Sequence, residues 1–373
     1  MLYIDMSDDE DYFKDPVIPE ALSVYLQKAP QFQGQELLYF YHPMGPVVIL
    51  GHYQDVYHEV NFPYLREHQI GLVRRNPGGG AVFVDPEDLT FVYIDTAQKV
   101  KTPKFSHYIQ PILAALHEVG IDAKQTGRND LTYQGKKFSG MAFAQIEDRV
   151  LYGGTLMFDV DTATANAVLT PSKSKLADKG IKSVRSRVTN LKPYIKQAGF
   201  TRDDLQRLIL KHVRALNPDL QMRHLTTAEW DAIKELARTK LGTHQWIYGS
   251  GLTDYYIDAY FHGVGSFGLG FNVRDNQLAD VKIHGDLISM NQATADQLEK
   301  RLTGQPVNRD TLQDTLAVAG LDNLLAAGAS EEIAGKVVEA VTSHDNYPGN
   351  HFSTGLGTAL PNLASRSGGS ADS

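Results

Sequence analysis

Between Leu72 and Val84 two short apolar runs are joined by "RRNPGGG". The chain is therefore expected to enter and leave the glycines as strands. Three consecutive glycines exceed what a tight turn needs, and they let another group approach the backbone without meeting a Cβ. Arg74 and Arg75 beside them point to an anion. Successive N–H groups of Gly78, Gly79 and Gly80 can form a concave anion nest, with Arg75 placed for a bidentate contact to a carboxylate or phosphate. A plain flexible hairpin turn with surface arginines would use the same residues.

The flanking sequence is dense in similar runs. "LLYFY" and "PVVILG" read as paired buried strands around "HPMGP", and "AVFV" and "TFVYI" follow the glycines with the polar turn "DPED" between them. "KKFSGMAFAQ" and "RVLYGGTLMFDV" read as a hairpin closed by "IEDR". Helical spacing predicts helices at Pro19–Gln27, at "NFPYLREHQ" with Asn61 as cap, at "TPKFSHYIQPILAALHEVG", at "TRDDLQRLILKHVRAL" and at "TTAEWDAIKELARTKL". In the last of these Thr226 and Glu229 form a capping-box pattern. The pattern predicts an α/β domain, a mixed sheet with flanking helices, over residues 1–248. After "WIYGSG" it changes to a smaller α+β unit, residues 249–343. From His344 to Ser373 the chain is rich in Gly, Ser, Asn and Pro, and a largely disordered tail is expected.

A length of 373 residues exceeds one ordinary core and agrees with two domains. The net charge of -8 argues against a nucleic-acid binder. The absence of cysteine excludes disulfides, thiolate catalysis and Cys-ligated zinc. The histidines show no metal-binding spacing. The acidic start "MLYIDMSDDEDYF" is unlike a signal peptide, and no apolar run approaches the roughly 18 residues of a membrane helix. A soluble cytoplasmic protein is expected.

A second candidate segment is "GRNDLTYQGKKFSGMAF", Gly127 to Phe143. Its spacing fails the phosphate-binding P-loop. As a strand it would place Lys137, Ser139, Met141 and Phe143 on one face, polar at one end and apolar at the other. Such a face suits a substrate with an acidic head and an apolar tail; a half-buried strand with a solvated lysine reads the same way. "GIKSVRSRVTN", Gly180 to Asn190, interleaves basic residues and hydroxyls and is a third candidate. His284 and Asp286 in "IHGD" read as a strand-end turn.

Taken in order, these segments resemble the lipoate–protein ligase family. The resemblance rests on Arg74, Arg75 and Gly78 to Gly80, on Gly127 to Asp130, on Lys137, Ser139 and Gly140, on Gly154, Thr155 and Leu156, and on "KLADKGIKSVRSRVTNL". It covers about residues 1–340 and implies a catalytic domain of the biotin/lipoate ligase type followed by an accessory domain. The implied chemistry joins lipoate and ATP, with Mg2+ assisting, into lipoyl-adenylate and pyrophosphate. The lipoyl group then passes to one lysine of a carrier: glycine-cleavage H protein, an H-like protein, or an E2 subunit of a 2-oxoacid dehydrogenase. The implied adenylate ligands are Arg75, Gly78, Gly79, Gly80, Ala81, Asn129, Lys137, Ser139, Gly154 and Thr155. Lys137 is the implied catalytic charge, and Asp130 orients the acceptor lysine or holds the metal.

The chain departs from the family pattern in places. His52 and Asp55 replace an arginine and an asparagine, Gly153 replaces a histidine, and Pro77 stands where serine is usual. Val84, Glu87 and Asp88 alter the stretch after the glycines, and the two acids are expected to bring negative charge to the adenylate loop. An ATP-free lipoyl or octanoyl transferase and a non-catalytic adenylate-binding protein are the competing readings.

Overall fold

The computed structural model describes residues 1–95, 105–127, 129–170, 188–249, 251–287 and 292–343. The expected tail, Arg128 and residues 180–187 of the third candidate segment lie outside these.

Two mixed sheets form the first part. The larger has eight strands: β1 (Leu2–Ile4), β2 (Leu37–Tyr41), β6 (Asp88–Asp95), β7 (Lys124–Thr126), β8 (Asp130–Tyr133), β9 (Lys136–Ile146), β10 (Arg149–Met157) and β11 (Gln221–Arg223). Their order is β11-β1-β2-β6-β10-β9-β8-β7. The smaller sheet has β3 (Val47–Leu50) between β4 (Gly71–Arg74) and β5 (Val82–Val84). The expected pairing of "LLYFY" with "PVVILG" does not occur: β2 lies between β1 and β6, whereas β3 lies between β4 and β5. Both strands are buried along their whole length, so each needs ladder partners on both edges. The chain changes sheet through His42–Pro46 instead of folding back. β5 and β6 are likewise consecutive but belong to different sheets.

Several helices start where side chains satisfy the orphan amides. Asn61 accepts from Tyr64 N–H, and Thr201 and Thr226 form capping boxes with Asp204 and Glu229. Helix Ile18–Lys28 and the small sheet's Val47, Ile49, Val73 and Val84 share one core with Tyr39, Val92, Ala144 and Leu151 of the large sheet. On the opposite face Phe91, Phe138, Met141 and Tyr152 pack beneath helices Phe105–Glu118 and Arg202–Leu216. The core between the two sheets is therefore apolar and walled by strands on both sides.

The carboxy-terminal unit has its own core. An antiparallel sheet of β12 (Tyr255–Phe261), β13 (Gly265–Arg274) and β14 (Gln277–Gly285) packs with helices Gln292–Leu302, Arg309–Val318 and Ala329–Thr342. Among the described residues no helix is long and apolar enough to cross a membrane.

Candidate active site

Strand β4 ends at Arg74, and the glycine turn that follows is built around Arg75. Sequence reasoning placed Arg75 against the anion. The structure instead buries its guanidinium under the loop, where it donates to the carbonyls of Gly78 (2.9 Å), Gly80 (2.8 Å) and Ile49 (3.3 Å). The reason is sequence alternation: Arg74 and Arg75 leave the strand on opposite sides, and both meet backbone carbonyls. A trans peptide points its C=O and N–H in opposite directions. Drawing the Gly78 and Gly80 oxygens inward therefore turns the N–H groups of Gly79 and Ala81 away from Arg75. Gly79 has φ +97°, and a Cβ there would meet the Arg75 guanidinium at 3.0 Å. Glycine is required at this position on both counts.

Lys137 sits at the start of β9, paired with Asp130 at 2.7 Å. The expected common face for Lys137 and Ser139 is not what forms. Leu131 pairs with Ser139 but Thr132 pairs with Lys137, so Phe138 is the extra residue of a β-bulge. The bulge resets the alternation and brings Lys137 to the face of Gly140. A Cβ on Gly140 would lie 2.9 Å from the Lys137 ammonium nitrogen and 3.1 Å from its Cε. Met141 joins the opposite core, and Ser139 is buried with its hydroxyl unpartnered. Lys136 is exposed. Asn129 donates through Nδ2 to the Met141 carbonyl (2.6 Å), while its own carbonyl accepts from Met141 N–H (2.8 Å). It therefore clamps β9 with the amide expected to reach substrate. Of the third segment, Val188 bridges to Lys137, and Thr189 N–H donates to the Lys137 carbonyl at 2.8 Å.

Gly154 and Thr155 separate. A Cβ on Gly154 would press on Phe91 Cζ (2.7 Å) and Met141 Cγ (3.0 Å), on the face away from the small sheet. There the missing side chain makes room in that core. Thr155 lies opposite Thr90 and shares by alternation the face of Gly153.

A family profile for the lipoyl protein ligase A/B catalytic domain matches residues 15–214, and one for the bacterial lipoate protein ligase C-terminus matches residues 253–335. The chain is 33% identical over 311 residues to lipoate–protein ligase 2 of Staphylococcus aureus, covering 82% of this chain and 90% of that protein. It is 30% identical over 318 residues to lipoate-protein ligase LplJ of Bacillus subtilis, covering 85% of this chain and 93% of that one. The chain belongs to the lipoate–protein ligase family. Among solved folds, the lipoate complex of P. falciparum LipL1 matches 91% of this family member and 98% of its own chain, with TM-score 0.66 and 20% identity. The bipartite lipoate protein ligase of Thermoplasma acidophilum, studied with its E2 lipoyl domain, matches 66% of this chain and 95% of its own at TM-score 0.57 and 25% identity.

The departures from the family pattern fall in unexpected places. Asp88 is buried, and burial together with neighbouring Asp85 holds its carboxyl well above the usual range. Asp85 accepts from Glu87 N–H and Asp161 N–H and so caps the turn after β5. These acids stand beyond the far end of β5 from the glycines, away from the loop where their negative charge was expected. Val84 is core.

His52 and Asp55 meet the carboxy-terminal unit. His52 Nε2 lies 3.2 Å from Gln292 Oε1, and Asp55 accepts from Tyr57 N–H and pairs with His58 (2.8 Å) beside His284. Burial raises the Asp55 carboxyl, but its hydrogen bond to His58 and the nearby His284 outweigh this and leave it below the usual value.

Sequence reasoning also passed over Glu20. It is buried on helix Ile18–Lys28, where burial pushes its carboxyl up to about 7 against the pull of Arg75. An acid next to Ala21 and Leu22 on a helix buried nearly all round was the available signal.

Proposed function

We propose that this family member ligates lipoate to a lysine of a carrier protein through lipoyl-adenylate. In the first half-reaction the lipoate carboxylate attacks the α-phosphorus of ATP and pyrophosphate leaves. In the second the carrier amine attacks the acyl carbon, AMP leaves, and the amine loses a proton. The observation that carries this reading is the arrangement of Arg75 under the glycine loop. It leaves the Gly79 and Ala81 amides preorganised for an anion, at a stretch where the family profile matches.

Lys137, on the glycine floor of Gly140, stabilises negative charge on the acyl oxygen and α-phosphate. Its ammonium is partly exposed, which a group meeting a nucleotide requires. The apolar space between the sheets takes the lipoyl tail, with Gly153 and Thr155 on its wall. Asp130 has one oxygen on Lys137, and it fits a one-carboxylate magnesium site completed by phosphate oxygens. Bound there, magnesium would neutralise phosphate charge. Residues 1–248 form the catalytic part in this reading. Residues 249–343 close over the site during adenylation and swing aside for the carrier.

The carriers that fit are glycine-cleavage H protein, an H-like protein or an E2 lipoyl domain; the last is the partner named with the Thermoplasma ligase. The test is incubation of the full chain with ATP, magnesium, lipoate and a panel of purified carrier domains, read by intact mass. Lipoylation of one or more carriers that requires ATP supports the reading. Modification from an acylated donor without ATP would make the protein a transferase, and no modification of any carrier would sink both.

A further inference from the structure

Residues 51–55 carry two sets of contacts that meet at Arg74. On one side they floor the glycine loop. A Cβ on Gly51 would run into the carbonyl of Gly79, and His52 N–H donates to the Pro77 carbonyl at 3.1 Å. On the other side they hold the carboxy-terminal unit. Gly285 N–H donates to the Tyr53 carbonyl at 3.0 Å, and His52 meets Gln292 at 3.2 Å.

Arg74 stands between the two sets. Its guanidinium donates to the carbonyls of Gly51 (3.0 Å), His52 (2.9 Å) and Gln54 (2.7 Å), and to those of Trp246 (2.9 Å) and Ile247 (2.8 Å). Trp246 returns its indole N–H to the Arg74 carbonyl at 2.8 Å. Trp246 and Ile247 belong to the short helix His244–Tyr248, the last element before the chain enters the carboxy-terminal unit. One side chain thus binds the loop's floor, the docked face and the covalent link. A planar guanidinium can reach all three at once, whereas a lysine ammonium has three donors on a single atom. Burial lowers the Arg74 pKa to about 10, with Asp55 opposing, so the group remains charged near neutrality.

We propose that Arg74 is a positioning residue that makes the geometry of the glycine loop depend on docking of the carboxy-terminal unit. The catalytic readout of this proposal rests on the ligase reading above. The test is a double-mutant cycle on the full chain with Gln292→Ala and Arg74→Lys, measuring KM for ATP in lipoate-dependent pyrophosphate exchange. Gln292→Ala loosens docking from the far side of the interface. It should raise KM on the order of fivefold or more when Arg74 is present. In the Arg74→Lys background the same change should stay within about twofold.

Equal factors in both backgrounds would mean that Arg74 only holds the fold, and the proposal would fail. If Arg74→Lys does not fold, Trp246→Phe takes its place in the cycle, with the same two outcomes. Absence of exchange in the unaltered protein would count against the ligase reading alone. Coupling would then be read by hydrogen exchange of residues 76–81, faster with Gln292→Ala only where Arg74 is intact. Equal acceleration in both backgrounds would overturn it.

Discussion

The ammonium of Lys137 rests over the Cα of Gly140, where a side chain at 140 would leave it no room. Because the obstructing atoms are the far end of a flexible side chain, Gly140→Ala should fold with near-normal stability. It should nonetheless push the charge off the reacting atoms and lower kcat for adenylate formation by about tenfold or more. Thermal melts and pyrophosphate exchange on the same sample separate the two effects. A normal rate would show that Lys137 works from some other position.

Gly51 faces backbone and not a movable side chain, so the expected outcome differs. Gly51→Ala must displace the Gly79 carbonyl and with it the amides of the loop. Adenylate formation should fall on the order of 10- to 100-fold. The titration of ATP against initial rate checks this, and a wild-type KM and kcat would remove the loop from the site.

Gly153 and Gly154 are neighbours with opposite duties. A Cβ on Gly154 would crowd Phe91 and Met141, whereas one on Gly153 finds nothing nearer than 3.4 Å. Gly154→Ala should cost about 1–3 kcal/mol of stability by overpacking. Gly153→Ala should stay within about 0.5 kcal/mol and act on the affinity for lipoate instead. Denaturant melts of the two variants decide; equal losses would mean the faces are misassigned.

The docked interface should be sensitive to pH. His284 faces Asp55, His58, Arg74 and Glu299, and His52 faces Gln292, Arg74 and Lys240. Burial lowers both imidazoles below their ordinary value of 6.5. The docked environment favours the neutral form of both, and protonation would also place an N–H on the buried, unpartnered Nδ1 of His52. Undocking returns them toward 6.5, so docking is strongest above that value and weakens as pH falls below it. The lowered carboxyl of Asp55 acts in the same direction, but only below its ordinary 3.8. Hydrogen exchange of residues 51–58 and 282–287, corrected for intrinsic rates, should quicken between about pH 7.5 and about pH 5.5. Unchanged protection would mean that the histidines do not govern docking.

Much of this molecule is legible in its sequence. The glycine turn between strands, the "IEDR" hairpin, the caps at Asn61 and Thr226 and the change of pattern after Tyr248 are all local signals, and local chemistry produces them. Which strands pair is not local: "LLYFY" and "PVVILG" look alike, and only the layer each covers separates them. The Phe138 bulge is equally hidden, since period-two alternation has no mark for one inserted residue. The placement of charge is not local either. The Arg75 guanidinium is engaged by carbonyls, and Asp88 is buried beyond the far end of β5 from the glycines, with its carboxyl held above the usual range.

Lipoate-dependent exchange of radiolabelled pyrophosphate into ATP is the decisive measurement, run on the unaltered chain beside Lys137→Met and Lys136→Met. If the chain forms lipoyl-adenylate with the Lys137 charge on the reacting atoms, exchange requires lipoate, persists in Lys136→Met, and falls in Lys137→Met by roughly 100-fold, the equivalent of about 3 kcal/mol of lost charge stabilisation, with all three proteins folded. No lipoate-dependent exchange by the unaltered chain, or undiminished exchange by Lys137→Met, would contradict it.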